Sequence, residues 1–317
     1  MPPESGRRIA ILGARSAIGR RLLDRLSGSA AVERLVALDL VDPGAAEVAF
    51  VHLDLTHPGA GDRLAQILER ERIDALVHLA RPDDPPANAA YFRELELGGT
   101  AKVLGASRRA GVRRLILRSS TWLHWPSPNN PAVIREQTPF ADGAPEYVRV
   151  KRDADARALA ERPDATILRF APLLGPEAGG LLARALRGPF SVAIAGFDPL
   201  VQCLHVDDAA AVIEGALEAS LEGVYHVAAE GCVPYLAACR LAGSVVLPLP
   251  QTAALYGLRA LRATGLSSLP DEAVDALRFS TVVETSRLRA ALDCPVRHDA
   301  RAAITAVREE KKDARRA

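Results

Sequence analysis

The chain has 317 residues, 49% of them apolar and 25% charged, enough to bury a full core as one large or two coupled domains. Its net charge of +1 comes from interspersed arginines and acids, which gives no electrostatic case for nucleic acid. The first apolar run, 9–19, is short and broken by Arg15, so neither a signal peptide nor a membrane span is expected.

Taken in order, the N-terminal half alternates strand-like and helix-like stretches. Short runs apolar on both faces predict strands at 8–12, 35–39, 49–53, 75–79, 115–119 and 166–170. Helical periods fall between them at 17–26, 63–71, 89–110 and 146–161. That rhythm predicts an α/β fold with a doubly wound parallel sheet. After residue 172 proline and glycine interrupt the elements. The expected organisation is a nucleotide-binding domain over 1–172, a return segment near 204–228, and a smaller substrate domain over most of 173–317. Segment 251–266, which combines apolar residues with Arg259 and Arg262, reads as a helix packed in that domain rather than one lying on a membrane surface. The tail 308–317 reads as charged, solvent-facing helix. The four cysteines, Cys203, Cys232, Cys239 and Cys294, show no CxxC and no metal-ligand spacing, so buried reduced thiols, no metal and a cytoplasmic location are expected.

The first strand runs through Gly13 and Gly19 into a helix, the order that cradles a pyrophosphate at a helix N-terminus. Gly13 permits the turn and Gly19 permits close packing of helix on sheet. Between them Arg15, Ser16 and Ile18 would border the phosphates; the Ser16 hydroxyl either crowds them or donates to one. Asp39 ends the second strand, where a carboxylate accepts from both ribose hydroxyls and repels a 2′-phosphate, favouring NAD over NADP. Asp54, at the end of the third strand, is placed to accept from the adenine amino group, with Leu55 beside it.

Tyr147 and Lys151 lie four residues apart, one turn along a single helix face. Of 40 basic residues only Lys102, Lys151, Lys311 and Lys312 are lysine, so a lysine here marks a need for a compact ammonium. Such a charge favours the phenolate and suits Tyr147 to proton exchange near neutrality.

These pieces resemble the extended short-chain dehydrogenase/reductases, the NAD-dependent epimerase/dehydratase group with its sugar-nucleotide epimerases. The resemblance is carried by His78-Leu79-Ala80-Arg81, Gly99-Thr100, Gly111-Val112-Arg113-Arg114 with Arg118-Ser119-Ser120-Thr121, Arg169-Phe170, Gly175-Pro176 and Leu204-His205-Val206-Asp207-Asp208, covering about 8–300. It implies a Rossmann-like domain, bound NAD contacted also by Leu79, Ala80 and Arg81, and a triad of Ser120, Tyr147 and Lys151. In that triad Tyr147 is the acid/base, Lys151 lowers its pKa and holds the nicotinamide ribose, and Ser120 binds the reacting oxygen. It further implies a homodimer through the helices near 89–110 and 146–161.

The departures fall on substrate contacts. Glu96 replaces the family asparagine before Gly99-Thr100, Pro172 replaces another, and Val201 stands where an arginine grips the substrate diphosphate. Arg81 or Arg184 would have to substitute. Trp122 and Trp125 flank Ser120 as a packed loop or a substrate wall, and His124 reads as a hydrogen-bonded loop residue. Three functions follow: hydride transfer at a secondary alcohol or ketone on a sugar-nucleotide-like substrate, the same chemistry on a non-nucleotide hydroxy or keto compound, or a non-catalytic NAD sensor.

Overall fold

The computed structural model describes residues 6–45, 48–82, 88–293 and 296–314. Cys294 therefore lies outside the described residues.

In chain order the first half comprises β1 (Arg7–Leu12), α1 (Ala17–Leu26), β2 (Val32–Asp39), β3 (Ala49–His52), α2 (Ala60–Arg70), β4 (Ala75–His78), α3 (Ala89–Arg93), α4 (Gly99–Arg109), β5 (Arg114–Ser120), α5 (Glu146–Glu161) and β6 (Thr166–Phe170). These strands and a later one, Gly223–Val227, form one seven-stranded parallel sheet. From one edge the order is Gly223–Val227, β6, β5, β4, β1, β2, β3. Alternation along β1 shows how it is held: Ile9 and Ile11 join one apolar layer with Leu22 and Val212, while Ala10 and Leu12 join the other with Leu64 and Leu104. A strand buried on both faces has no polar side, which is why these segments read as continuous apolar runs.

The expected helix over 89–110 runs unbroken from 89 to 109, with one change of winding. Between α3 and α4 the residues Glu94–Gly98 make a π-helical turn, with Glu96 pointing inward and fully buried. Turns of this kind concentrate at functional sites because the extra residue re-aims side chains.

Beyond β6, the helix α6 (Leu181–Arg187) and the two-stranded pairing of Phe190–Ile194 with Val245–Leu249 surround a separate core of Leu182, Leu186, Cys239, Ile304 and Val307. Helix α7 (Val206–Ala219) returns to the first half and packs on α1. The helix Gln251–Ala263 packs lightly, against Asp271–Leu277 and Phe190–Ile194. None of its residues is buried, and Tyr256 is 69% exposed. It is tied down through Arg259 and Arg262, both paired with Asp271. Cys203 and Cys239 are buried, but Cys232 is exposed, against the expectation for all four. Among the described residues no helix is long and apolar enough to cross a membrane.

Candidate active site

The sheet order reverses between β1 and β4, and the loops leaving those two strands meet there, at the position where open α/β sheets bind ligands. Gly13 has φ +86°, and a Cβ on it would stand 2.5 Å from the backbone nitrogen of Ala80. Only glycine lets the two loops close. A groove of about 400 Å³ runs over this junction, lined by Gly13, Arg15, Ser16, Asp39, Asp54 and Leu55, then Leu79, Ala80 and Arg81. Ile18 is buried under it in α1.

Ser16 lines the groove and also caps the helix behind it. Its hydroxyl caps α1, accepting from the Gly19 N–H at 3.1 Å and donating to the Gly13 carbonyl at 2.8 Å. Asp39 is held by the Arg15 N–H at 2.8 Å on one oxygen and the Leu40 N–H at 2.7 Å on the other. The Asp54 carboxylate accepts from the Thr56 backbone and hydroxyl, which lowers its pKa.

At the far end of this groove Arg81 and Arg118 pass into a small cleft lined also by Ser119, Ser120, Trp122, Tyr147 and Lys151. The structure thus brings together the three residues the sequence nominated. Ser120 ends β5 and accepts from the Trp122 N–H at 3.1 Å. Tyr147 and Lys151 come from the first two turns of α5, with Tyr147 edge-on to Phe92 and Trp125 at 6.3 and 5.9 Å.

Behind the cleft lies a buried ionic network that the sequence reading missed. The Lys151 Nζ donates to Glu96 Oε1 at 2.5 Å, and Arg81 Nε donates to Glu96 Oε2 at 2.9 Å. Arg81 Nη1 then donates to Asp155 Oδ1 at 2.9 Å and to the Arg118 carbonyl at 2.7 Å. Asp155 also accepts from Ser119 at 2.7 Å and from Arg169 at 3.3 Å. Asp155 sits four residues beyond Lys151 on the same helix face, a spacing that could have revealed it. Burial would raise the Glu96 pKa, but the Arg81 and Lys151 charges overcome it and hold the carboxyl at about 2. Glu96 is therefore an anion neutralising two buried cations. The two serines separate likewise: Ser119 is committed to the network, leaving Ser120 to the cleft.

His124 corrects another expectation. Its ring makes no hydrogen bond to described residues; it packs against Phe140 and His226, and burial pushes its pKa down to about 3. Trp122 and Pro172 both line a cavity beyond the cleft.

The Arg81 Nη2 is buried and has no partner among the described residues, at the point where groove and cleft meet. An orphaned donor of this kind calls for an acceptor, and a dinucleotide bears several oxygens to supply one. The residues present therefore fit NAD.

Sheet, glycine turn, Asp39 and the cleft at the switch point define an extended short-chain dehydrogenase/reductase. The NAD dependent epimerase/dehydratase family profile matches residues 9–228, and the chain belongs to that family. An uncharacterized protein of Mycobacterium tuberculosis (strain ATCC 25618 / H37Rv) is 31% identical over 304 residues, covering 92% of this chain and 80% of that one. A 3-diazoavenalumate denitrifying reductase of a Streptomyces species is 31% identical over 188 residues, 52% of this chain and 61% of that one. Among solved structures, the dTDP-glucose 4,6-dehydratase of Bacillus anthracis str. Ames in complex with NAD superposes with a TM-score of 0.75 at 14% identity over 98% of both chains.

Proposed function

We propose that the chain is an NAD-dependent oxidoreductase acting at a secondary alcohol or its ketone, with Tyr147 as acid/base. The observation that carries this is the shared cleft of Ser120, Tyr147 and Lys151 at the end of the dinucleotide groove. Bound NAD supplies the hydride chemistry. Tyr147 exchanges a proton with the reacting oxygen, and Ser120 donates a hydrogen bond to that oxygen as charge develops on it. Lys151 holds positive charge beside the phenol, and Glu96 fixes the ammonium in place. Asp39 accepts from the adenosine ribose and disfavours NADP; the glycine turn and the α1 N-terminus receive the phosphates. Residues 1–172 with the return segment form the cofactor-binding domain, and the remainder shapes the substrate site. The protein works in the cytoplasm as a homodimer through the helices at 89–110 and 146–161.

Net oxidation or reduction is favoured over epimerisation because Val201 and Pro172 remove the diphosphate contacts and because one relative is a reductase. Sugar-nucleotide epimerisation is the second reading, favoured by family membership. Native mass spectrometry of the purified protein separates them and gives the subunit count: an epimerase retains its dinucleotide through turnover, whereas a dehydrogenase exchanges it. The chemical assignment itself falls if Tyr147→Phe keeps full turnover while binding NAD. NAD binding without turnover on any substrate would favour a sensor.

A further inference from the structure

A cavity of about 380 Å³ opens on the side of the cleft away from the dinucleotide groove. The two adjoin. Trp122 borders the cleft with Tyr147, then a short passage with Pro172, Leu181 and Leu182, and then the cavity, whose wall those same residues share. A volume of this size accommodates a small organic molecule.

Its chemistry is set by where the polar side chains of the wall point. Ser191 donates to the Ala185 carbonyl at 2.7 Å, and Tyr235 donates to the Val192 carbonyl at 3.1 Å. Gln202 accepts from the Val283 N–H at 2.9 Å and donates to the Val283 carbonyl at 3.2 Å. Thr281 donates to the His124 carbonyl at 3.1 Å. Each hydroxyl proton and one Gln202 N–H is committed within the protein, so the wall offers a ligand few donors beside the hydrocarbon and aromatic ring of Trp122, Leu182, Val201, Leu277 and Phe279. Arg184 is the one charged residue among the described lining, and it already has a partner. A diphosphate needs several charge-assisted donors when it leaves water, and this wall does not offer them. The rim is apolar too, with Phe190 59% and Leu200 40% exposed.

We propose that this cavity takes a phosphate-free, apolar ketone or secondary alcohol built on an aryl or fused-ring skeleton. The ring system lies against Trp122 and Phe279 while the oxygen-bearing carbon reaches through the passage to Tyr147. The inference rests on the oxidoreductase reading for its chemistry, and on the cavity alone for its ligand. Reduction of the carbonyl takes a hydride at carbon, from a reduced nicotinamide, and a proton at oxygen, from the Tyr147 phenol; oxidation of the alcohol is the reverse.

The test is binding, measured first with no cofactor present. A set of aryl and fused-ring ketones including 2-tetralone is titrated into the protein beside UDP and UDP-glucose, with tryptophan fluorescence and thermal melting as readouts. Expected are saturable quenching and a raised melting temperature with 2-tetralone or its congeners, and neither effect with the nucleotides. Ala185→Phe and Ala276→Phe, on two separate lining segments, are each expected to fill the cavity, to weaken ketone binding at least about tenfold (about 1.4 kcal/mol) and to leave NADH affinity unchanged. The inference is overturned if UDP or UDP-glucose binds more tightly than the ketones, if no ketone binds, or if ketone binding is indifferent to both substitutions. Ketone binding in a protein that binds no NADH would sink the oxidoreductase reading and leave the cavity assignment standing.

Discussion

Replacing Glu96 with glutamine keeps the shape of the side chain and removes its charge, which makes it a direct probe of the ionic network. The carboxylate is fully buried between Lys151 at 2.5 Å and Arg81 at 2.9 Å. A carboxyl whose pKa falls from 4.5 to about 2 on folding contributes about 3 kcal/mol of stability at neutral pH. The sign is that of a depressed acid: the contribution is present above pH 4.5 and is lost as pH falls toward about 2. Glutamine mimics the protonated acid, so Glu96→Gln is expected to cost about 3 kcal/mol at pH 7, at the low end of the roughly 3–5 kcal/mol typical for breaking a buried pair. Urea unfolding followed by circular dichroism measures it, as a lower midpoint at unchanged slope. A double-mutant cycle with Lys151→Gln locates the cause. If the two charges hold each other, the double variant loses less than the sum by about 1 kcal/mol or more. A Glu96→Gln variant within about 0.5 kcal/mol of the parent, or strictly additive losses, would refute the reasoning.

Tyr147→Phe is expected to lower turnover about a hundredfold to ten-thousandfold with NADH affinity retained, read by steady-state kinetics beside cofactor titration. Asp39→Asn removes the carboxylate proposed to face the ribose 2′ position while exposed Arg15 stays beside it. Its expected effect is a shift of the NADP-to-NAD affinity ratio toward NADP by about tenfold or more, measured by calorimetry; an unchanged ratio would move the ribose site elsewhere. Acid should destabilise the fold steeply. Burial pushes His78 and His124 down to about 3 and His226 to about 4, so the native state keeps them neutral while the unfolded chain protonates them below 6.5. Together they remove up to about 4 kcal/mol per pH unit between pH 6.5 and about 4, and a flat urea midpoint across that window would contradict it.

How much of this was legible depended on sequence separation. The glycine turn, Asp39 and the Tyr147–Lys151 pair are local devices, each set by a turn or a single helix face, and the structure lines one groove and cleft with them. The network behind them joins Glu96, Arg81, Asp155 and Arg169, which come from four different segments. The family motif placed Glu96 near the site, but nothing in periodicity announces the π-helical turn that buries it between Lys151 and Arg81. The helix Gln251–Ala263 shows the opposite limit. Its apolar residues resemble those of a packed helix, yet the neighbouring segments Phe190–Ile194 and Asp271–Leu277 leave every one of them at least partly exposed.

By itself the order of apolar runs and glycines determined the layered parallel sheet, because a strand buried on both faces and a turn with positive φ each restrict residue type at one position. Which polar side chains face a ligand was decided only by tertiary structure. Gln202, Ser191, Tyr235 and Thr281 all carry polar groups, but backbone groups elsewhere in the fold take up their hydrogen bonds and leave a largely apolar wall. Hydrogen bonding is directional and depends on partners far along the chain, whereas apolar burial depends mainly on the residue itself.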